Sequence, residues 1–453
     1  MPTPEPGQRS SPSGPALLTD RYELTMLQSA LASGAHSREC VFEVFARSLP
    51  AGRRYGVVAG TARVLEAIAA FRFADTELAW LDEERVVDRR TLDWLARYRF
   101  RGDVIGYPEG ECYFPDSPVL TVRGSFAETV LLETVVLSIL NHDCAVASAA
   151  SRMTTAAAGR PCLEMGARRT HERAAVAAAR AAVVGGFAGS SNLAAGREHG
   201  LMTIGTAAHA FTLVHDSEEA AFAAQVASLG PGTTLLVDTY DVLVGVDRAV
   251  RAARAGGGEL GAVRLDSGDL VEQAFAVRSL LDELGAKTTR IVATSNLDEH
   301  SIAALARTPV DVFGVGTSLV TGSGHPTAEF VYKLVARADD SGVVLPVEKT
   351  SAGKRTRGGQ KTAGRVIGAG AAGEELVVAL GEPQAARALA QAGARPLQVP
   401  LVTRGEVVLE RTDPQALPAA VEHHRRSLAE LPEAARLLSA GGAAIPTRHM
   451  AGS

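Results

Sequence analysis

Thr203-Ile-Gly-Thr206-Ala-Ala-His209-Ala-Phe, Val237-Asp238-Thr-Tyr-Asp241 and Val263-Arg264-Leu-Asp266-Ser-Gly268-Asp decide how this chain is read. Each is a short apolar run that stops abruptly in small and polar residues. Where strands alternate with helices around a barrel, such stops fall at the carboxyl ends of the strands, where active sites are built. A histidine, several carboxylates, an arginine and glycine turns then converge on one mouth. That set suits holding a phosphorylated substrate and passing a proton or phosphoryl group. A lone GT-x-x-H could equally be a strand closed by a capping threonine, its histidine satisfied in the wall. Three such strand ends in series favour the mouth.

Working outward, the pattern from Pro161 is regular. Strands are expected at 162–165, 186–187, 202–204, 234–237, 262–265, 290–293 and 312–314, with helices at 172–182, 192–199, 218–229, 246–255, 269–284 and 298–306. Apolar strands alternating with helices at short spacing predict an irregular parallel α/β barrel. Upstream, Thr19-Asp20 opens an amphipathic helix over 17–34. Short extended pieces at 103–105, 112–114 and 119–122 form a small sheet, and a long helix over 126–152 bridges into the barrel. After Tyr332 come strand-like pieces, a basic loop and a helical tail over 414–438. The expected division is a disordered tail at 1–16, an N-terminal α/β part at 17–130, the barrel at 131–332 and a C-terminal segment at 333–453.

Composition excludes several classes. At 453 residues, with 46% apolar residues, the chain can bury a large core. A net charge of −5 leaves no basic surplus for a nucleic-acid partner. Cys40, Cys112, Cys144 and Cys162 are scattered without metal-ligand spacing, as in a reducing compartment, and no metal site is expected. The first fifteen residues lack an apolar core for a signal peptide. Arg180, Glu128 and Glu133 interrupt the longest apolar runs. The expectation is a cytoplasmic protein without a membrane partner.

Thr19-Asp-Arg-Tyr22-Glu-Leu-Thr, Phe42-Glu-Val-Phe, Glu164-Met-Gly166-Ala-Arg168-Arg169, Gly186-Phe-Ala-Gly-Ser-Ser191-Asn192, the GT-x-x-H of His209, the RLDSGD of Arg264 and Gly314-Val-Gly-Thr317 occur in this order. Together they resemble nicotinate phosphoribosyltransferase, over about 17–333 and more weakly through 365. The resemblance implies the barrel plus a second α/β sandwich domain made from both chain ends. It also implies an ATP-assisted, Mg²⁺-dependent condensation of nicotinate with phosphoribosyl pyrophosphate, in a homodimer. His209 matches the family's phosphorylated histidine, a fitting nucleophile near neutral pH. Asp238 matches the carboxylate that orients it, although Asp238 could also be a helix N-cap. Asp266 matches the residue that holds ribose hydroxyls, and Arg264 the one that contacts substrate carboxylate or phosphate. A surface salt bridge between Arg264 and Asp266 is not expected. Arg168 matches a phosphate- and base-contacting arginine, with Arg169 its solvated neighbour. Ser190, Ser191, Thr206, Gly316 and Thr317 complete the expected substrate contacts, Gly316 and Thr317 as a phosphate-cradling turn. Tyr22 matches an aromatic that stacks on the pyridine ring, contributed by the partner subunit.

The chain departs from the family's pattern in three places. Met165 stands where an aromatic is common, no cysteine follows Cys162 to build a zinc cluster, and Arg357-Gly358 replaces a usual Pro-Gly in the basic loop, read as a solvated hairpin. Ser191 occupies the place at which nicotinamide-using relatives present an aspartate, which would repel a carboxylate. Nicotinate is therefore preferred over nicotinamide. Quinolinate phosphoribosyltransferase and a non-catalytic phosphoribosyl pyrophosphate-binding homologue are the other readings. The first gives no reason for GT-x-x-H, and the second expects damage at His209 or Asp238.

Overall fold

Glu39–Ala46, an apolar strand buried at every position after the first, is the spine of the larger sheet. It pairs antiparallel with Leu120–Ser125 on one side and Phe330–Ala338 on the other, with Glu43 opposite Lys333. The sheet continues through Asp103–Gly106 to Val399–Thr403 and Glu406–Val407. Strands from the first third of the sequence are thus flanked, in one layer, by strands from its last third. The computed structural model describes residues 14–349, 357–368, 370–379, 381–408 and 416–450. Of the expected tail, 1–13 lie outside these residues. The described chain already turns at Pro15–Leu18, with Ala16 fully buried, so the ordered part begins before residue 17.

Six parallel strands form the second sheet, in the order Gly189–Ser190, Cys162–Glu164, Val312–Val315, Arg290–Ala293, Ala262–Leu265 and Thr234–Leu236. Their side chains are mostly apolar and buried, as a sheet covered by helices requires. The expected strand at 186–187 falls instead at Gly189–Ser190, because Gly185 ends the preceding helix and Gly186 takes a left-handed φ of 99°. The expected strand at 202–204 is reduced to one bridge, Thr203 to Ser190. Among the described residues the ladder therefore does not close. Ile204–Ala208 and Leu236 instead face each other across a cavity.

Alanine explains how closely the helices lie against this sheet. Glu172–Val184 buries Ala175, Ala177, Ala178, Ala179, Ala181 and Ala182, side chains small enough for near-backbone contact. Val242–Ala255 buries Gly245, Val246, Ala249, Val250 and Ala253 at helical spacing. Five helices around this sheet start with a side-chain cap: Asn192, Ser217, Asp241, Asp269 and Asp298 accept from backbone N–H groups two or three residues on. Asp241, not Asp238, caps Val242–Ala255, which releases Asp238 for another role.

Glu133–Ala156 joins the two sheets. With the short Phe126–Val130 helix before it, this run is long and apolar enough to be weighed as a membrane span, yet its apolar side chains are mostly buried between the layers. Buried ion pairs tie the same junction. Arg180 holds Glu109 through two bonds of 2.8 and 2.6 Å, and Arg152 Nε donates to Glu299 at 3.0 Å.

The basic loop departs from a solvated hairpin. Its residues 350–356 lie outside those described, but Lys361 is buried and donates to Glu43 at 2.8 Å. Just beyond it, Arg365 is fully buried between Glu111 and Glu375, each at 2.8 Å. These cations bind the small four-stranded sheet at 362–378, 394–396 and 447–450 to the rest of the chain. The expected helical tail is Ala416–Glu430, and the helix at Glu382–Gln391 was not anticipated.

Candidate active site

The site lies where the strand ends stop. Ala262–Leu265 alternates sides, so Arg264 points to the mouth while Val263 and Leu265 are buried. Four of the five N–H groups of the Arg264 guanidinium are engaged, which leaves one on Nη2 for a ligand. Its Nε donates to Thr294 Oγ1 at 3.0 Å, Nη1 to Thr206 Oγ1 at 2.9 Å and to the Ala207 carbonyl at 3.2 Å, and Nη2 to Asp266 Oδ1 at 3.1 Å. An Arg264–Asp266 ion pair is thus present, contrary to expectation, but it sits inside the mouth. Both residues border the substrate space, so the pair presets their positions without removing either from it.

Burial alone would raise the Asp266 carboxyl. The Thr294 hydroxyl, the Arg264 guanidinium and His209 outweigh burial and hold it below the ordinary carboxylate value. Asp238 is buried behind it. Its Oδ2 accepts from the Asp266 N–H at 2.9 Å and the Ser267 hydroxyl at 2.7 Å, while Oδ1 is buried without a partner among the described residues.

His209 begins a short helix, His209–Leu213, rather than ending a strand. Its Nε2 is 3.9 Å from Asp238 Oδ1 and 4.0 Å from Asp266 Oδ2. Both distances exceed a hydrogen bond. The bond that orients the ring joins Nδ1 to Thr239 Oγ1 at 3.1 Å. Asp238, expected as the orienting carboxylate, contributes charge beside Nε2 and braces Asp266.

Two adjoining cavities share Met165, Arg168, Arg264 and Asp266. One of about 230 Å³ also has Arg169, Thr294, Ser295, Asn296, Gly314, Gly316 and Thr317 in its wall. The other, of about 320 Å³, has Ser191, Ile204–Ala208, His209 and Leu236. Met165 stands between them, its sulfur so close to Gly314 that a Cβ there would lie 2.8 Å away. Ser190 lies beneath the mouth, not in it. It is fully buried, its hydroxyl donates to Glu164, and the same oxygen accepts from the Asn192 N–H at 2.9 Å. Tyr22 lines neither cavity of its own chain. It is 44% exposed on the Arg21–Ser33 helix, and partial burial with the Glu133, Glu23 and Asp20 carboxylates pushes its hydroxyl up to about 12.

Sequence reasoning missed Thr239, Thr294, Ser295 and Asn296 and set Arg169 aside as solvated. The end of the expected strand at 290–293 followed the same rule that found Arg264, so 294–296 were within its reach. Ser295 holds φ 113°, rare for a side-chain-bearing residue, which places stored backbone strain in the cavity wall.

Comparison with known proteins agrees with this geometry. Residues 17–141 match the model for the nicotinate phosphoribosyltransferase (NAPRTase) N-terminal domain, and 161–367 that for the nicotinate phosphoribosyltransferase (NAPRTase) family. Nicotinate phosphoribosyltransferase pncB1 of Mycobacterium tuberculosis is 55% identical over 98% of this chain and 97% of its own length. The chain belongs to the nicotinate phosphoribosyltransferase family. The Bacillus subtilis member is 35% identical over 78% of this chain and 73% of its own. The crystal structure of human nicotinic acid phosphoribosyltransferase superposes with a TM-score of 0.80 at 26% identity, covering 96% of this chain and 97% of that one. The nicotinate phosphoribosyltransferase fold therefore supplies the frame on which His209, Arg264 and Asp266 meet.

Proposed function

We propose that the chain catalyses the ATP-assisted reaction of nicotinate with phosphoribosyl pyrophosphate, giving nicotinate mononucleotide, pyrophosphate, ADP and phosphate with consumption of one water. The observation that carries this reading is an arginine-walled cavity opening onto the same mouth as His209. Arg168, Arg169 and Arg264 outnumber the one carboxylate, Asp266, in the cavity wall. Such a wall suits a phosphate-bearing substrate. Beside it, Ser191 and the backbone of 204–208 offer neutral donors to a pyridine carboxylate.

Each residue has a task in this reading. His209 Nε2 attacks the terminal phosphorus of ATP, forming an N–P bond as the bond to the ADP oxygen breaks. With Nδ1–H donated to Thr239, Nε2 keeps the lone pair this needs. Asp266 holds ribose hydroxyls while the pyridine nitrogen bonds to the anomeric carbon and pyrophosphate departs. Arg264 and Arg168 stabilise the anionic groups by position and charge. Water then cleaves the N–P bond and restores His209. Among the described residues no group of three metal-ligating side chains occurs. Mg²⁺ would enter with the substrate phosphates and neutralise the departing pyrophosphate, and Asp266, the carboxylate of the cavity wall, would help to hold it. Tyr22, outside the site of its own chain, fits a homodimer in which it reaches the partner's mouth. A cytoplasmic setting agrees with four buried free cysteines.

Incubation with nicotinate, phosphoribosyl pyrophosphate and Mg-ATP should yield the mononucleotide, with ADP formed alongside. Equal efficiency with nicotinamide would overturn the substrate assignment. Product formed from quinolinate without ATP would replace the reaction.

A further inference from the structure

A second basic cavity lies on the N-terminal face and shares no lining residue with the mouth. The run Arg97-Tyr98-Arg99-Phe100-Arg101 explains it. Tyr98 and Phe100 are 2% and 7% exposed, and the Tyr98 hydroxyl donates to the Glu128 carbonyl at 3.0 Å. These two anchors force the alternate residues outward, so three exposed arginines emerge where the chain turns out of the Arg89–Leu95 helix. All three line the one cavity, so their long side chains can meet one anion.

None of the three has an ion-pair partner among the described residues. The one carboxylate in the wall, Glu128, is already committed to its capping box, accepting from the Ser125 hydroxyl at 2.6 Å. Trp94 forms another wall of the same cavity, about 430 Å³ in volume, its ring braced 5.7 Å from that of Tyr98. His36, also in the wall, has Nδ1 buried with no partner among the described residues. Arg99 Nη1 donates to the Tyr98 carbonyl at 2.5 Å, a neutral partner that leaves its charge uncompensated. Guanidinium groups without a carboxylate partner beside an available indole are the chemistry that recognises phosphates joined to a flat ring. The volume lies within the usual range for a small-molecule site.

We propose that this cavity binds a nucleoside di- or triphosphate, its base against Trp94 and its phosphates among Arg97, Arg99 and Arg101, as a site separate from the catalytic mouth. The chain has two tryptophans, Trp80 and Trp94. Trp80 is half-exposed on another helix, so Trp80→Phe leaves Trp94 as the single indole reporter. In that variant, ATP and GTP should each quench Trp94 emission saturably, and inorganic tripolyphosphate should displace them. Changing all three arginines to serine should weaken the quenching at least about tenfold. The three are exposed, and circular dichroism checks that the fold is retained. Because the signal arises at Trp94, nucleotide bound in the mouth does not produce it. No saturable quenching, quenching unchanged by the arginine substitutions, or a site that takes tripolyphosphate but neither nucleotide would each overturn the proposal.

Discussion

Nδ1 of His209 bonds to the hydroxyl of Thr239, one residue beyond Asp238, while Nε2 faces two carboxylates at 3.9 and 4.0 Å. The two ring nitrogens are thus divided between orientation and chemistry. Thr239→Val keeps the shape but removes the hydroxyl that fixes the ring. Nicotinate-stimulated ATP hydrolysis should fall by about tenfold, as the loss of one hydrogen bond of roughly 1–1.5 kcal/mol implies. Thr239→Ser should restore it. The KM for nicotinate should hardly move, because Thr239 does not border the nicotinate space. A hydrolysis rate unchanged in Thr239→Val would place the ring's orientation elsewhere.

Replacing His209, the nucleophile in the proposed reaction, has a different signature. His209→Asn should abolish nicotinate-stimulated ATP hydrolysis and leave a slow transfer that ATP no longer accelerates. The arginine-lined cavity and Asp266 remain intact in that variant, and in the proposed reaction they position the phosphoribosyl donor without help from the ring. If ATP still stimulated transfer in His209→Asn, phosphoryl transfer through this histidine would be excluded.

Much of this site was legible because strand ends in an α/β layer are punctuated. Arg264 and Asp266, two apart on one strand end, could be assigned to the mouth from alternation alone. The hidden parts depend on tertiary packing. Ser190 reads as an available hydroxyl until Glu164, buried alongside, accepts from it. Asp238 does face His209 through Oδ1, at 3.9 Å, but its second task, accepting from the Asp266 N–H and the Ser267 hydroxyl through Oδ2, has no sequence signal. Lys361 and Arg365 read as part of a basic loop because their partners, Glu43, Glu111 and Glu375, are remote or masked in sequence pattern. No periodicity records which distant carboxylate a cation will meet.

Thr294 is the residue through which Arg264 and Asp266 are held together, since its hydroxyl oxygen accepts from Arg264 Nε and the hydroxyl also donates to Asp266. Arg264→Ala removes a charge-assisted contact to the substrate carboxylate or phosphate and should raise the KM for nicotinate at least about tenfold. Thr294→Val should raise the same KM by a smaller factor, and Thr294→Ser should not. Steady-state kinetics on the three variants decides the matter. Equal KM values in wild type and Thr294→Val would show that the Arg264–Asp266 pair is set without Thr294.

Acid should weaken the fold through His424. This side chain is buried on Ala416–Glu430, where Nδ1 meets the Gly110 carbonyl at 3.1 Å and Nε2 the Ser151 hydroxyl at 2.9 Å. Burial lowers it from 6.5 to about 4, against the Gly110 bond and the Glu111 charge. The folded state therefore takes up its proton less readily than the unfolded chain. The resulting stability is fully present above about 6.5 and is lost as pH falls towards 4. That window is worth about 3 kcal/mol. Thermal midpoints measured across it should decline less steeply in His424→Gln than in wild type, and parallel curves would refute the assignment.

Tyr22 supplies the sharpest test of assembly. Within its own chain it borders neither cavity, although its aromatic face suits an electron-poor pyridine ring. If the partner's Tyr22 completes each mouth, Tyr22→Ala and Arg264→Ala each impair both sites of their own homodimers at nicotinate concentrations near the wild-type KM. A mixed dimer is different. One of its mouths combines two damaged contributions, and the other combines two intact ones. Unfolding the two impaired variants together and refolding them should therefore restore activity at low nicotinate, towards one working site per mixed dimer. Refolding each variant alone should restore none. Mixed dimers confirmed by mass but without activity would place Tyr22 in the site of its own chain or outside catalysis altogether.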